Sequence, residues 1–346
     1  MTAKLGTMEE LPEAYVHRLR DRGTLPLWPS LRKVLPYEKP ERRTRPFCWR
    51  YRELREDVLR AGELTPIEKA ERRVIVLANP SLGLENMMAT PTIYLGLQLI
   101  LPGETAPNHR HTPSAVRFLI EGEGAFTTVA GQKCAMHRGD LILTPSGLWH
   151  EHGHEGTGPA VWLDALDLPL IYYLEASYCI EGERQNVAAV ADASETDYRR
   201  AGLVPYGSLG DPRGDYPLLR YPWPEVRAAL MDMQAGLDGE GTARLAYVNP
   251  ETGRPCLPVL GLSAEMIRAG QEVRPRRRSC SAVFHVVEGE GESEIDGESL
   301  AWAEGDTLAV PTHAAVAHRA AGAAPAFLFH VDDAPLQRAL GFYQEF

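Results

Sequence analysis

Long apolar runs are missing from this chain. No segment approaches the ~20 consecutive apolar residues needed to cross a bilayer. The start, MTAKLGTMEELPEAYVHRLRDRG, has neither the apolar stretch nor the cleavage site of a secretory signal. A cytoplasmic protein with no membrane partner is expected. Cysteine is sparse: Cys48, Cys134, Cys179, Cys256 and Cys280 are odd in number, scattered, and form no CxxC pair. That argues against a disulfide framework and a cysteine zinc site, and leaves small, mostly buried hydrophobes. Positive charge is also in deficit. A formal net charge of −11 opposes a protein that tracks nucleic-acid phosphates. It does not oppose a small anionic substrate, because a few arginines inside a pocket outweigh a negative exterior.

With those classes set aside, an ordinary globular composition remains, 44% hydrophobic and 24% charged. The 346 residues suffice for two hydrophobic cores. Leu11, Tyr15 and Leu19 recur at helical spacing over 8–22, and Gly23 is a natural stop. The Pro-rich, basic stretch 35–51 reads as an ordered arm laid over another surface. A second helix is predicted over 52–72, interrupted near Thr65 and Pro66.

The texture changes near residue 90. IYLGLQLIL (93–101), AVRFLIEGEG (115–124), GAFTTVAG (124–131) and GDLILTP (139–145) are short runs parted by Gly, Pro and Asp. Such spacing marks many short strands in a sandwich or barrel. The pattern then returns. VRFLIEGEGAFTTVAG (116–131) is echoed by VFHVVEGEGESEIDG (283–297), and GDLILTPSG (139–147) by GDTLAVPTH (305–313), in the same order. A duplicated domain follows. The expected organisation is mainly β: an N-terminal helical arm (1–88), a first barrel (89–175), a mixed linker with a helix at 225–234 (176–245), and a second barrel (246–346).

His109 and His111 are two apart, so on a strand both imidazoles leave the same face. His150 follows about 40 residues later, beyond a strand ending at Pro145 and a turn at Gly147. Three imidazoles converging from two strands cap one face of a metal and leave the other open. Nitrogen donors suit Fe, Mn, Co, Ni or Zn over Mg or Ca. An HxH pair alone is weak evidence. The match here is longer. PGETAPNHRHTPSAVRFLIEGEG and GDLILTPSGLWHEHGH resemble the two cupin motifs, with Gly103, His109, His111, Gly122, Gly139, Pro145, Gly147 and His150 in register. The implied fold is a bicupin of two double-stranded β-helix (jelly-roll) barrels. Many cupins add a glutamate four or five residues after HxH; Ala115 and Val116 stand there, so a carboxylate-free site is expected. In the second barrel Arg276 and Arg278 align with His109 and His111, and Val316 with His150. His285, His313, His318 and His330 lack the spacing. That barrel is expected to hold no metal, its histidines lying at surfaces or interfaces and the barrel serving packing and oligomerisation.

Most of the chain is similar to gentisate 1,2-dioxygenases and their salicylate- and hydroxynaphthoate-cleaving relatives. LPLW (25–28), EKAERRVIVLANP (68–80), YLGLQLILPGE (94–104), WLDALDLPL (162–170) and the closing LQRALGFYQEF carry the likeness. The resemblance implies Fe(II) in the first barrel, a homotetramer, and O2-dependent opening of a 2-hydroxybenzoate ring between C1 and C2, giving maleylpyruvate from gentisate. It also implies roles: Arg117 as carboxylate binder, His152 as acid/base, and Gln98, Gly96 and Tyr94 as pocket positions. Tyr94 favours gentisate, since salicylate-cleaving relatives carry tryptophan there. Arg73 is expected as a pocket cation and Asp164 as a carboxylate that orients a ligand histidine. His154 replaces an asparagine and is expected on an exposed turn. Where relatives read PSWTWH, this chain reads PSGLWH, so Gly147 is expected to widen the pocket towards a 5-nitro- or 5-chlorosalicylate. Two other classes compete: a non-catalytic binding bicupin, and a zinc or manganese isomerase or hydrolase.

Overall fold

The computed structural model describes residues 4–184, 190–212, 214–237 and 241–346, so the parts of the expected linker at 185–189, 213 and 238–240 lie outside the described residues. Residues 1–43 form a unit of their own with a helix over Glu13–Asp21, closed by Gly23 at φ +66°. Residues 44–346 form the second unit and contain both barrels.

Every strand pairing is antiparallel. In the first barrel a six-stranded sheet runs Arg220–Tyr221, Leu141–Thr144, Ala115–Glu121, Ala160–Leu166, Tyr94–Ile100, Arg73–Val76. It faces a five-stranded sheet of Cys179–Glu181, Thr105–His111, His150–His154, Ala125–Val129 and Gln132–Ala135. The second barrel repeats the plan. Its larger sheet runs Phe47–Trp49, Thr307–Val310, Ala282–Glu288, Ala326–Asp332, Gly261–Ile267, Ala243–Ala246. Arg276–Arg277, Ala315–Ala320, Glu290–Ile295 and Glu298–Ala303 form the smaller one. Phe118 of one barrel stacks on Phe329 of the other, ring centroids 4.7 Å apart, within a continuous apolar core.

The sheets cross the segment boundaries expected from sequence. Residues 47–49 of the supposed helical arm extend the second barrel, and 73–76 extend the first. The echoed Gly-Asp pair explains part of this. A Cβ on Gly139 would lie 2.4 Å from Trp223, and one on Gly305 would lie 2.8 Å from Tyr51, so only glycine admits either ring. Asp140 then accepts the Trp223 backbone N–H at 2.8 Å, and Asp306 that of Tyr51 at 2.9 Å. Each carboxylate thereby satisfies the exposed start of a helix, Trp223–Ala235 or Tyr51–Leu64. An arginine completes each clasp: Arg220 with Asp140 at 2.9 Å, Arg50 with Asp306 at 3.2 Å. Both barrels thus hold an outside helix by the same device.

Candidate metal centre

His109 and His111 alternate on the strand Thr105–His111, and His150 opens the neighbouring strand in register with His109. One nitrogen from each imidazole falls within a 4.8 Å group. The orientation has identifiable causes. His111 Nδ1 lies 2.7 Å from the Pro113 carbonyl and His150 Nδ1 3.0 Å from that of Leu148. A carbonyl only accepts, so each Nδ1 carries the proton and each Nε2 keeps its lone pair. His150 Nε2 is buried and has no hydrogen-bond partner. Burial, helped by Arg72 at His109 and by Arg117 at all three, holds His109 at about 2, His111 at about 4 and His150 well below the usual imidazole range. All three are neutral, the form a metal requires. Ala115 and Val116 are buried and apolar, so no carboxylate joins the set from the positions where many cupins place one. Three neutral nitrogens fit a borderline divalent ion such as Fe(II).

The surrounding wall is polar and dry. Arg117 lies opposite Asp164, its Nε 3.4 Å from Asp164 Oδ1, and it donates to Thr144 Oγ1. Arg117 Nε makes no hydrogen bond, although the residue is only 4% exposed. Asp164 accepts the Trp162 indole N–H at 3.1 Å; burial pushes its carboxyl up to about 6, against the pull of Arg117. His152 Nδ1 meets Thr127 Oγ1 at 2.9 Å, while its buried Nε2 has no partner. Its ring lies 6.0 Å from that of His150. Gly96 pairs across the strands with Asp164, and Gln98 with Trp162, which puts both on the Arg117 face. Tyr94 shares that face by alternation. A Cβ on Gly96 would meet Val74 at 2.4 Å and the Tyr94 hydroxyl at 3.0 Å.

Several expected positions are corrected. Arg73 pairs with Leu99, so it faces away from Gln98 and forms a buried ion pair with Glu104 on the side covered by the helix Tyr51–Leu64. Its neighbour Arg72, which sequence reasoning missed, is the cation at the site. Arg72 Nη2 lies 2.7 Å from both the Pro107 carbonyl and His109 Nδ1, and burial lowers it to about 10. A guanidinium only donates, so His109 Nδ1 accepts from Arg72 in this arrangement; ligation through Nε2 requires Arg72 to leave Nδ1 and Glu71 Oε1, 3.5 Å away, to take the Nδ1 proton. The Arg-Arg doublet was visible, but choosing between its members needs the register of the strand. Gly147 sits on an exposed turn at φ +77° with nothing within 4 Å of a built Cβ, so the position opens onto free space. Its N–H ties the turn to the His111 carbonyl at 2.9 Å. His154 is buried, not exposed; it accepts from Gly156 N–H at 3.1 Å and donates to the Gly158 carbonyl, closing the turn after its strand. His285, His318 and His330 are buried rather than superficial, His285 lying 5.2 Å from Phe118 where the barrels meet.

Comparison with known proteins agrees with this site. The cupin-domain family matches residues 96–166, the segment that carries all three histidines. A gentisate 1,2-dioxygenase from Ralstonia sp is 52% identical over 99% of this chain and 97% of its own length. The chain belongs to the gentisate 1,2-dioxygenase family. A 5-aminosalicylate 1,2-dioxygenase from Comamonas sp is a further relative of the family, 37% identical over 87% of this chain and 81% of its own. Salicylate 1,2-dioxygenase from Pseudoaminobacter salicylatoxidans, solved as adducts with gentisate, superposes with a TM-score of 0.89 at 32% identity, covering 100% of this chain and 95% of that one. The family places the bicupin fold and a dioxygenase activity on this chain.

Proposed function

We propose that this dioxygenase uses Fe(II) and O2 to open a 2-hydroxybenzoate ring between C1 and C2, with gentisate as substrate and maleylpyruvate as product. The observation that carries the reading is the neutral three-histidine group in one barrel with a buried arginine that has an unused donor. Iron held by His109, His111 and His150 supplies the electron transfer and chelation that bring O2 to a closed-shell ring. Arg117, braced by Asp164, takes the substrate carboxylate as a charge-assisted partner. His152 Nε2 handles the hydroxyl proton, its ring fixed through Thr127. Arg72 adds a second cation beside the anionic substrate. Gln98, Gly96 and Tyr94 bound the ring slot, and glycine at 96 lets Val74 and the Tyr94 hydroxyl close over the strand.

Gentisate is favoured over substituted salicylates on two counts. The 52% relative acts on gentisate by name, and Tyr94 stands where the resemblance gives salicylate-cleaving relatives a tryptophan. A cytoplasmic homotetramer completes the reading; the tetramer rests on the resemblance and the location on the lack of a signal-like start. The test is O2 consumption by anaerobically iron-loaded protein across gentisate, salicylate, 5-nitrosalicylate, 5-chlorosalicylate and 1-hydroxy-2-naphthoate. One O2 per gentisate consumed is expected. Binding without O2 uptake would return the non-catalytic reading, and turnover of substrate without O2 the zinc or manganese one.

A further inference from the structure

The second barrel keeps a polar interior where the first has its metal centre. Arg276 pairs with Val316 as His109 pairs with His150. The same register puts Arg278 at the His111 position and His318 at that of His152. Ser263 and Glu265 replace Gly96 and Gln98, His330 replaces Asp164, and Phe284 replaces Arg117. A barrel kept only for packing would be better filled with apolar side chains, because buried polar groups cost stability unless they are paired.

The pairing here is incomplete. Arg278 binds Asp332 at 2.7 Å and lies against the His330 ring, whose Nε2 carries the proton once Nδ1 accepts from Arg244. Arg244 donates to Ser263 and to His330 Nδ1. Glu265 Oε2 stands 3.9 Å from Arg244 and 3.8 Å from Arg276, beyond hydrogen-bond reach. Three guanidinium groups therefore face two carboxylates. The flanking Arg277 and Arg319 are already matched to Asp296 and Glu292. Burial raises the Glu265 carboxyl, and whether it holds its proton or not, positive charge stays in excess.

Two buried atoms have no partner, Glu265 Oε1 and His318 Nε2. Hydrogen-bond logic assigns the second. The Trp302 indole N–H donates to Ser293 Oγ at 2.8 Å, and Ser293 Oγ lies 2.7 Å from His318 Nδ1. Among the described residues the Ser293 hydroxyl has no other acceptor for its proton, so it donates to Nδ1, which leaves N–H on Nε2. The cavity bounded by Arg244, Glu265, Arg276, Arg278, Phe284 and His318 measures about 20 Å³. A space of that size admits about one water-sized guest. It excludes the aromatic acid of the first barrel, and sulfate and phosphate too.

We propose that this cavity binds one small monovalent anion, chloride or another halide, between the Arg244 and Arg276 guanidinium groups and the Nε2–H of His318. The anion offsets the excess charge, satisfies the orphaned imidazole donor, and ties three strands of the second barrel together. The site is independent of the iron and of the reaction assigned to the first barrel.

Crystals soaked in sodium bromide, with diffraction recorded at the bromine edge, test the proposal directly. One anomalous peak is expected beside His318 Nε2. In parallel, Tm is measured in sodium chloride and in sodium gluconate at equal ionic strength, gluconate being too large to enter. Chloride at about 100 times its Kd is expected to raise Tm by roughly 2 °C or more relative to gluconate. Arg276→Gln, at a side chain 38% exposed, is expected to abolish both signals with iron content unchanged. A water without anomalous signal in the bromide crystals, or equal Tm values in the two salts for the wild type, overturns the proposal.

Discussion

Replacing Arg117 by methionine keeps most of the side-chain volume and removes the guanidinium. The lost interaction is a charge-assisted bond to a carboxylate in a site where Arg117 is 4% exposed. Truncating one partner of such a pair costs ~2–5 kcal/mol. At ~1.4 kcal/mol per decade, kcat/KM for gentisate falls by roughly thirty- to several-thousand-fold. A structural side effect must be separated, because Asp164 loses the cation 3.4 Å from its Oδ1. Its carboxyl already sits up to about 6, so without Arg117 it takes a proton and stays neutral. The double variant Arg117→Met/Asp164→Asn removes even that residue of charge. The assay is threefold: iron per chain, kcat/KM by oxygen electrode, and gentisate affinity measured on zinc-substituted protein, where no turnover occurs. The expected pattern is full iron loading with weak binding in both variants. Arg117→Lys should recover only part of the affinity, since an ammonium cannot present the planar fork. If activity falls only in step with lost iron, or if the double variant restores it, Arg117 is a brace for the barrel and not a substrate contact.

The other predictions concern the triad, a turn and a carboxyl. His109→Ala, His111→Ala and His150→Ala each should lose iron and activity yet keep the circular dichroism of the wild type, because the barrel core is apolar; His318→Ala should leave iron content unchanged. Gly147→Trp should lower Tm through the left-handed backbone it must adopt, at about 1–2 kcal/mol, while leaving the ratio of kcat/KM for gentisate and 5-nitrosalicylate within threefold; a larger change in that ratio would put the position back in the pocket. Asp167 is 2% exposed and burial raises its carboxyl from 3.8 to about 6, although it accepts the Ser114 N–H at 2.7 Å. A raised carboxyl favours folding below pH 3.8 and loses that favour as pH climbs to about 6, so Asp167→Asn should stabilise the protein above pH 6, by at most about 3 kcal/mol, and change little near pH 4. Denaturant titrations at pH 4 and pH 8 read the difference.

The metal group was legible in sequence because its grammar is local. Two histidines on one strand face and a third after a turn need no knowledge of the rest of the fold. The duplication was equally legible, since the Gly-Asp and EGEG echoes mark positions where a side chain would clash or a carboxylate must grip. What failed was parity and long-range pairing. Arg72 and Arg73 differ by one residue, and only the pairing of Val74 with Gln98 decides which faces the three histidines. The arm could not be read as strand at 47–49, because its partner at 307–309 lies at the other end of the chain.

That last pairing sets an order of events on the ribosome. Residues 47–49 are made early, yet the strand they complete emerges roughly 260 residues later, which at ~5–20 residues per second is about 13–50 s of synthesis. The first barrel's edge waits more briefly, for Arg220–Tyr221 to close against Leu141–Thr144. Phe47 and Trp49 therefore spend that interval as an unpaired aromatic segment, while the first barrel can already assemble around its histidines. The second barrel cannot be finished until the last hundred residues are out. A chain truncated before Asp306 would leave Arg50 and Tyr51 without their carboxylate, and Phe47–Trp49 with no sheet to join.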